Sequence, residues 1–237
     1  MNKRTTRPAA RTKPSQFSRQ DPWVRRRLLI DAAARCIAEG GIAAFTVDNI
    51  STKANVSRGL LNHYFPSKDD LLIEIYRASL YANTMQLIDS ADNVLSPEAK
   101  LCGMIEANFS PHFFSRSDLL LWLSLWSEIA VNPQLKAVHR RHYAAYHGVL
   151  TQAIKSLAAS RRRRVNASSL ALSILALVDG LWIEWCLDPK ILSRDDARNA
   201  CYSMLEAQLG PLHRTSFARA RPEHPVGPPV KARGQQE

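Results

Sequence analysis

Two short helices in close succession limit the folds open to this chain more than any other feature. Thr46 can cap a helix that ends at Ala54, and Asn55, which tolerates the left-handed backbone conformation, can end that helix. Ser57 can cap a second helix, which ends at Phe65 before a proline. This spacing predicts a helix-turn-helix, in which the second helix enters the major groove of DNA. A plain corner between two capped helices is the alternative.

The second of these helices has an outward face suited to DNA. Leu61 and Phe65 lie four residues apart and are expected to face the core with Val56. Arginine can grip guanine through two hydrogen bonds, asparagine can pair with adenine, leucine can touch a thymine methyl group, and tyrosine and lysine suit phosphate. The residues expected to point outward are Ser57, Arg58, Leu60, Asn62, His63 and Tyr64, with Lys68 close behind. Solvated polar residues without a partner are the alternative.

Helical periodicity and helix caps continue through the rest of the chain. Gly40 and Gly41 are expected to end a first helix, and Ser67 with Asp70 to begin a long one. No strand pattern competes, so the sequence predicts an all-α fold of about nine helices. Later helices are expected after the caps Ser96, Asn132, Asn166 and Ser193.

The positive charge of the chain lies at its two ends. The formal net charge is +11, and nine Lys and Arg residues fall within residues 1–27 alone, whereas residues 28–210 hold equal numbers of basic and acidic side chains. A basic arm predicts a polyanionic partner, either nucleic acid or an anionic membrane surface. We expect disordered tails at 1–22 and 211–237, a helix-turn-helix domain at 23–70 and a second helical domain at 71–210.

The sequence argues against a membrane span, secretion and catalysis. The most apolar stretch, Leu170 to Leu187, contains Asp179, Gly180 and Glu184, so we expect a buried core helix. The basic N-terminus is not followed by an apolar segment, which predicts a cytoplasmic protein. The four cysteines are far apart and are expected to be reduced. No P-loop, dinucleotide fingerprint or nucleophile elbow is found, so neither an enzyme nor a cofactor is indicated.

Two further polar features have ordinary interpretations. His139 and His142 can lie on one helix face, but no acidic ligand accompanies them at helical spacing, so no metal site is predicted. The basic run from Arg161 to Arg164 can contact lipid or DNA, although a solvated connection between helices is favoured.

The segment from Phe45 to Leu71 carries a specific resemblance. With its closing pattern His63-Tyr64-Phe65-x-x-Lys68, it resembles the DNA-binding domain of the TetR family of repressors, over about residues 25 to 77. The resemblance implies a dimeric repressor that leaves a palindromic operator when a small-molecule effector binds. It also implies phosphate contacts by Thr46, Tyr64 and Lys68, and positions at or near the bases for Arg58, Gly59, Leu60, Asn62 and His63.

The second half resembles the choline-responsive, BetI-type repressors of the same family, which control glycine betaine synthesis. The similar stretches are Asn108 to Ser110, Trp122 to Trp126 and Val178 to Trp182. The resemblance implies choline or another quaternary ammonium as effector. The chain departs from the pattern in three places: Asn55 replaces a glycine, Glu184 and Trp185 replace an expected basic and small residue, and the basic N-terminal arm is longer.

Aromatic residues in the second half predict the effector site. Two tryptophan pairs, four and three residues apart, are each expected to project from one helix face, and aromatic cages bind quaternary ammonium ions. Glu128, Asp179 or Glu184 can supply a countercharge. The expected ligand-binding residues are Trp122, Trp126, Trp182, Trp185, Tyr143, Tyr146 and Glu184, with Phe113 and Phe114 on neighbouring elements. Packing in the core or at a dimer interface is the alternative for these rings.

The last two helices are expected to form a homodimer, because they carry more apolar surface than one domain need bury. Two recognition helices would then meet half-sites about 34–36 Å apart. Three other functions remain open: a TetR-type repressor that responds to a lipophilic or aromatic compound, a helical-bundle enzyme, and an architectural DNA-binding protein without an effector.

Overall fold

The protein is built from helices, as the sequence predicts. The computed structural model describes residues 21–89, 96–110 and 114–213, and within these ranges it has nine α-helices and no strand. A turn of 3-10 helix, Ile42–Ala44, which the sequence did not predict, lies between the first two. The helices are α1 (Pro22–Gly40), α2 (Val47–Ala54), α3 (Arg58–Tyr64), α4 (Lys68–Asp89), α5 (Pro97–Asn108), α6 (Arg116–Val131), α7 (Pro133–Ser160), α8 (Ala167–Leu187) and α9 (Arg194–Leu209).

Helix caps form in the helix-turn-helix where the sequence predicts them. Thr46 Oγ1 accepts a hydrogen bond from the backbone nitrogen of Asn49 at 3.2 Å, and Ser57 Oγ accepts one from the backbone nitrogen of Leu60 at 3.2 Å. Asn55, between the two helices, is left-handed with φ 55° and ψ 49°. Each cap contributes on the order of 1 kcal/mol. The local sequence therefore determines where both helices begin and where the chain turns.

The apolar faces of α2 and α3 are buried in the core that α1 provides. Ile50, Leu61 and Phe65 are between 1% and 4% exposed, and they belong to the same cluster as Leu29 of α1 and Ile75 of α4. Burying a side chain of this size contributes about 1.5–3 kcal/mol. Because α3 has seven residues, too few for a stable isolated helix, this packing is what holds its outer face in position.

One buried core runs through both halves of the chain. α1 packs against α6, and α4 packs against α5 and α7. Buried residues from Leu29 of α1 to Leu205 of α9 form a single cluster, which also contains the four free cysteines. The predicted boundary after residue 70 falls inside α4, which begins at Lys68. The division into two domains at that point stays a proposal.

The folded region extends beyond both predicted limits. Asp21 caps α1, because its carboxylate accepts a hydrogen bond from the backbone nitrogen of Trp23 at 2.9 Å, and Pro22 is the first residue of α1. At the other end, Leu212 is buried and its backbone nitrogen donates to Glu206 Oε1 at 3.1 Å. The tails predicted at 1–22 and 211–237 are therefore too long at their inner ends. The rest of both tails, residues 1–20 and 214–237, lies outside the described residues.

Arg161 forms hydrogen bonds with the end of α9 and the segment that follows it. Its Nη1 donates to the carbonyl oxygens of Leu209 at 3.0 Å, Gly210 at 3.2 Å and Pro211 at 2.8 Å, and its Nη2 lies 2.8 Å from Glu98 Oε2. Carbonyl groups at a helix end lack intrahelical hydrogen-bond donors. Arg161 supplies a donor to the carbonyl groups at the end of α9. The prediction of a solvated basic run is therefore wrong for this residue.

α8 is the helix in the described part of the chain that is long and apolar enough to cross a membrane by length and composition. Its inner face is buried through Leu170, Ile174 and Trp182, and the helix packs against α6, α7 and α9. A core helix of a soluble protein has the same composition. These contacts agree with the predicted core helix.

Candidate DNA-reading surface and effector cavity

The outer face of α3 carries most of the residues predicted to meet DNA. Leu61 is buried, and its neighbours on the opposite face are accessible. Leu60 and Tyr64 are half-buried, and the ring of Tyr64 packs edge-on against His63 with centroids 5.5 Å apart. The exposed members of the predicted set are Thr46, Ser57, Arg58, Gly59, Asn62, His63 and Lys68. Their accessibility is as expected, and their DNA contacts stay a prediction.

Two cations of this surface have defined partners. Arg58 Nε lies 2.6 Å from Asp48 Oδ1 of α2, and Arg58 remains largely exposed. Lys68 Nζ lies 5.3 Å from the centroid of the buried Phe45 ring. An ammonium over an aromatic face at an exposed site gains about 0.5–1 kcal/mol. Both contacts keep a positive charge close to α3.

A cavity of about 100 Å³ lies among α4, α5, α6, α7 and α8. That volume holds several water molecules, which suits a compact ligand. Five of the seven residues predicted to bind ligand line it, namely Trp122, Trp126, Tyr143, Tyr146 and Trp182. The cavity is also lined by Tyr76, Asn108, His139, His142 and Asp179.

Hydrogen bonds and ring contacts fix the aromatic wall. The rings of Trp122 and Trp126 have centroids 6.3 Å apart, and Tyr76 meets Trp122 edge-on at 5.8 Å. Trp182 Nε1 donates to the carbonyl oxygen of Asn108 at 3.2 Å, while Asn108 Nδ2 donates to the hydroxyl of Tyr146 at 3.0 Å. A buried indole or phenol that is bonded in this way is held in one orientation. The wall is therefore set before any ligand enters.

Asp179 places a carboxylate in this aromatic wall. Burial raises the pKa of Asp179 to about 6, because the charged form loses hydration. Among the described residues, no hydrogen bond or ion pair offsets that loss. The carboxylate also helps to raise the pKa of Tyr143 and Tyr146, although burial is the larger cause. Near neutral pH Asp179 is mostly ionised, so the cavity favours a positively charged occupant.

The two histidines add no positive charge to the cavity near neutral pH. Burial lowers the pKa of His139 and of His142, and His139 also lowers that of His142. His139 Nδ1 lies 2.7 Å from the hydroxyl of Tyr76. In the described ranges, no group of three or more His, Cys, Asp or Glu side chains is arranged to hold a metal ion.

Trp185 and Glu184, both predicted to bind ligand, lie outside the lining of the cavity. Trp185 packs against Phe114 with centroids 4.7 Å apart, and Glu184 is exposed. Glu128 also lies outside the lining, and Phe113 is outside the described residues. The α8 residues of the lining run from Leu175 to Trp182, so Trp185 lies almost one helical turn beyond the last of them.

Four polar lining residues, Tyr76, Asn108, His139 and His142, were not expected to bind ligand. Asn108 stands in a stretch that resembles the BetI-type repressors, and the spacing of His139 and His142 had raised the question of a metal. Tyr76 had no such signal, because the helical pattern of α4 marks it as a core residue and does not show which helices meet it.

The fold and these two sites define a helix-turn-helix transcriptional regulator with a separate cavity for a small molecule. Residues 29–75 match the family model of bacterial regulatory proteins of the tetR family, and residues 97–210 match that of the BetI-type transcriptional repressor C-terminal domain. The chain belongs to the TetR family, with a BetI-type C-terminal domain.

Curated relatives support this assignment. The chain is 31% identical over 191 residues to the HTH-type transcriptional regulator BetI of Burkholderia mallei, which covers 79% of this chain and 95% of that protein. It is 30% identical over 191 residues to BetI 1 of Chromohalobacter salexigens, with 78% and 91% covered. These relatives and both families are transcriptional regulators, so the protein is a TetR-type repressor and not an enzyme.

Solved structures share the fold. A regulator from Pseudomonas aeruginosa superposes with a TM-score of 0.73 at 29% identity, covering 81% of this chain and 94% of that one. A regulator from Saccharomonospora viridis, solved in complex with choline, has a TM-score of 0.69 at 23% identity, with 76% and 95% covered.

Proposed function

We propose that this repressor is released from DNA by a small cationic effector, with choline or another quaternary ammonium as the first choice. The observation that carries the proposal is the carboxylate of Asp179, which lies in an aromatic-walled cavity without a described partner. A buried carboxylate without a counterion is unfavourable, and a cation that enters the cavity compensates it. The choline complex of the Saccharomonospora viridis regulator supports choline as the first ligand to test.

The aromatic wall suits a cation whose charged group cannot donate hydrogen bonds, as in a quaternary ammonium. Ring faces attract a quaternary ammonium with about 0.5–2 kcal/mol per ring. Of the three acids that the sequence suggested as countercharge, Glu128, Asp179 and Glu184, we assign the role to Asp179, which lines the cavity. The proposed ligand-binding residues are Trp122, Trp126, Trp182, Tyr143, Tyr146 and Asp179.

For DNA binding we propose two groups of contacts made by a homodimer. Arg58, Gly59, Leu60, Asn62 and His63 lie at or near the bases, and Thr46, Ser57, Tyr64 and Lys68 hold phosphates. Two copies joined through α8 and α9 present their α3 helices to a palindromic operator with half-sites about 34–36 Å apart. Because its target is DNA, we infer that the protein works in the cytoplasm.

Release requires the effector to bind the DNA-free conformation more tightly than the DNA-bound one. A tenfold difference in affinity corresponds to about 1.4 kcal/mol of coupling. One ring of a cage provides an interaction of that size. The loss of one cage ring therefore abolishes the response if that ring contacts the effector only in the DNA-free conformation.

The test compares choline with 3,3-dimethylbutan-1-ol, its uncharged isostere, and with glycine betaine. Calorimetry measures binding, and fluorescence anisotropy measures release of an operator selected from random duplexes. We expect choline to bind and to lower operator affinity. The isostere should act weakly, and glycine betaine should bind less well than choline because its carboxylate meets Asp179.

Two variants and one control localise the effect. Trp126→Ala and Trp182→Ala remove rings of the cavity and should lose the choline response, whereas Trp185→Ala removes a ring outside it and should retain the response. Equal responses to choline and the uncharged isostere would favour a lipophilic or aromatic effector in the same cavity instead.

A further inference from the structure

A carboxylate stands beside the arginine that we assign to base recognition. Asp48, in the first turn of α2, lies through Oδ1 2.6 Å from Nε of Arg58, the first residue of α3. The Arg58 and Asp48 side chains are 70% and 59% exposed. An exposed ion pair of this kind contributes about 0–1 kcal/mol to stability. The stability of the fold therefore does not explain why these two side chains pair.

The same carboxylate is unfavourable for binding to DNA in general. Phosphates repel a negative charge at the protein surface, so an acid beside α3 weakens binding to every sequence unless it has a compensating role. The neighbouring Asn49 is occupied within the fold, because its Nδ2 donates to the carbonyl oxygen of Ala44 at 3.0 Å. Lys53, near the other end of α2, pairs with Glu39 of α1 at 2.5 Å. Of these three polar side chains of α2, Asp48 is the one whose described partner lies in α3.

The atom that Asp48 contacts leaves the terminal nitrogens of Arg58 available. A guanidinium has five N–H donors in a rigid fork, one on Nε and two on each terminal nitrogen. The ion pair uses the Nε side of this fork. Recognition of guanine uses two parallel donors, which meet O6 and N7 of the base. Nη1 and Nη2 provide such a pair once the torsions of the side chain are fixed.

We propose that Asp48 is a positioning residue for base recognition. Through Nε it fixes the direction in which Arg58 presents its terminal nitrogens to guanine, and its negative charge weakens binding where no guanine is present to hold Arg58. The inference rests on the proposed role of Arg58 at the bases. In this role Asp48 lowers the affinity for DNA of any sequence and raises the preference for the base pair that Arg58 contacts.

The experiment uses the full-length protein and an operator that the wild-type protein selects from random duplexes. Anisotropy gives dissociation constants for this operator, for operators with each base pair of a half-site changed singly, and for a random duplex. Arg58→Ala should lose preference at one base pair. Asp48→Ala should lose about five- to tenfold of the preference at that same base pair, and should bind the random duplex about two- to threefold more tightly.

The double variant and a conservative variant separate positioning from charge. Because Asp48 acts through Arg58, the double variant should lose no more preference than Arg58→Ala does. Asp48→Glu keeps the carboxylate and should restore part of the preference. Glu39→Ala removes an equal charge from the exposed pair with Lys53 and should leave base preference unchanged.

Three results overturn the inference. The positioning role of Asp48 is excluded if Asp48→Ala keeps the full preference at the Arg58 base pair. It is also excluded if the losses of the two single variants add in the double variant. If Arg58→Ala changes no base preference, the proposed role of Arg58 at the bases fails as well. Equal thermal unfolding midpoints for all variants exclude a loss of folded protein as the cause.

Discussion

The hydroxyl of Tyr76 lies 2.7 Å from Nδ1 of His139, and this contact joins α4 to α7 across the wall of the effector cavity. Tyr76 is 1% exposed, and its ring also meets Trp122 of α6 edge-on. α4 begins at Lys68, four residues after α3 ends at Tyr64. A ligand that displaces Tyr76 or His139 therefore acts directly on α4, the helix that follows the DNA-reading helix α3.

Tyr76→Phe should uncouple effector binding from DNA release. The change removes the hydroxyl and keeps the ring on Trp122, and a hydrogen bond of this kind contributes about 0.5–1.5 kcal/mol. Operator affinity without effector should stay within about threefold of wild type, while the drop in operator affinity caused by saturating choline should shrink by about three- to tenfold. Anisotropy titrations with and without choline measure both quantities.

Tyr143→Phe is the matched control for that change. Tyr143 lines the same cavity from α7, and its ring is tilted against that of His139 with centroids 5.8 Å apart, but it does not belong to α4. This variant should alter choline affinity and preserve the coupling between the two ligands. If saturating choline lowers the operator affinity of Tyr76→Phe as much as that of wild type, a contact other than Tyr76–His139 couples the cavity to DNA binding.

Asp179→Asn should stabilise the fold at high pH and remove the choline response. Burial raises the pKa of Asp179 to about 6 from 3.8, so ionisation is less favourable in the folded chain than in the unfolded one. The protonated carboxyl therefore contributes to the free energy of unfolding; this contribution is fully present below about pH 4 and is lost as the pH rises through about 6. The variant should gain on the order of 1–3 kcal/mol at pH 8 and no such gain at pH 4. Urea unfolding at both pH values gives the free energies.

The same carboxylate predicts how choline affinity depends on pH. Below about pH 6 the free protein must release a proton from Asp179 before it binds a cation, so affinity should fall by up to tenfold per pH unit. Protonation of His139 and His142 at low pH would act in the same direction. Glu184→Gln removes an exposed carboxylate outside the cavity and should change neither stability nor this profile. A flat profile in the wild type would exclude Asp179 as the counterion.

Gly180→Leu should yield a folded monomer. A Cβ at Gly180 would meet nothing within 4 Å, so the isolated chain does not require glycine there. Leu172, on the same exposed face of α8, is 51% exposed, which fits a surface that a second copy covers. Leucine has a higher helix propensity than glycine, by about 1 kcal/mol, so a loss of folding is not expected. Light scattering at micromolar concentration and operator binding report the two effects.

Gly148→Leu provides the control for the dimer interface. Gly148 of α7 also has open space around its Cβ position and lies outside the proposed interface. This variant should remain a dimer and bind the operator. A dimeric Gly180→Leu protein together with a monomeric Gly148→Leu protein would move the interface from α8 to α7.

Local sequence was sufficient for the helix starts and only partly sufficient for the lining of the cavity. Helix starts at Thr46 and Ser57 depend on side chains that bond within three residues, and these were predictable. The cavity depends on which helices meet, and helical periodicity distinguishes inside from outside without naming the neighbour. For that reason Tyr76 was missed, and Trp185, which packs against Phe114, was expected to line the ligand site.

Lys68→Ala should weaken binding to all DNA sequences alike. Its ammonium group is exposed, lies 5.3 Å from the Phe45 ring centroid, and stands at the start of α4 just beyond α3. A phosphate contact carries no base information, so the loss should be equal for operator and random duplex, and the salt slope should fall by about one unit per half-site. Anisotropy over a salt series measures the slope. Lys53→Ala, which removes a lysine already paired with Glu39, should leave the slope nearly unchanged. If Lys68→Ala instead changes preference at a single base pair, Lys68 reads sequence and its assignment to phosphate is wrong.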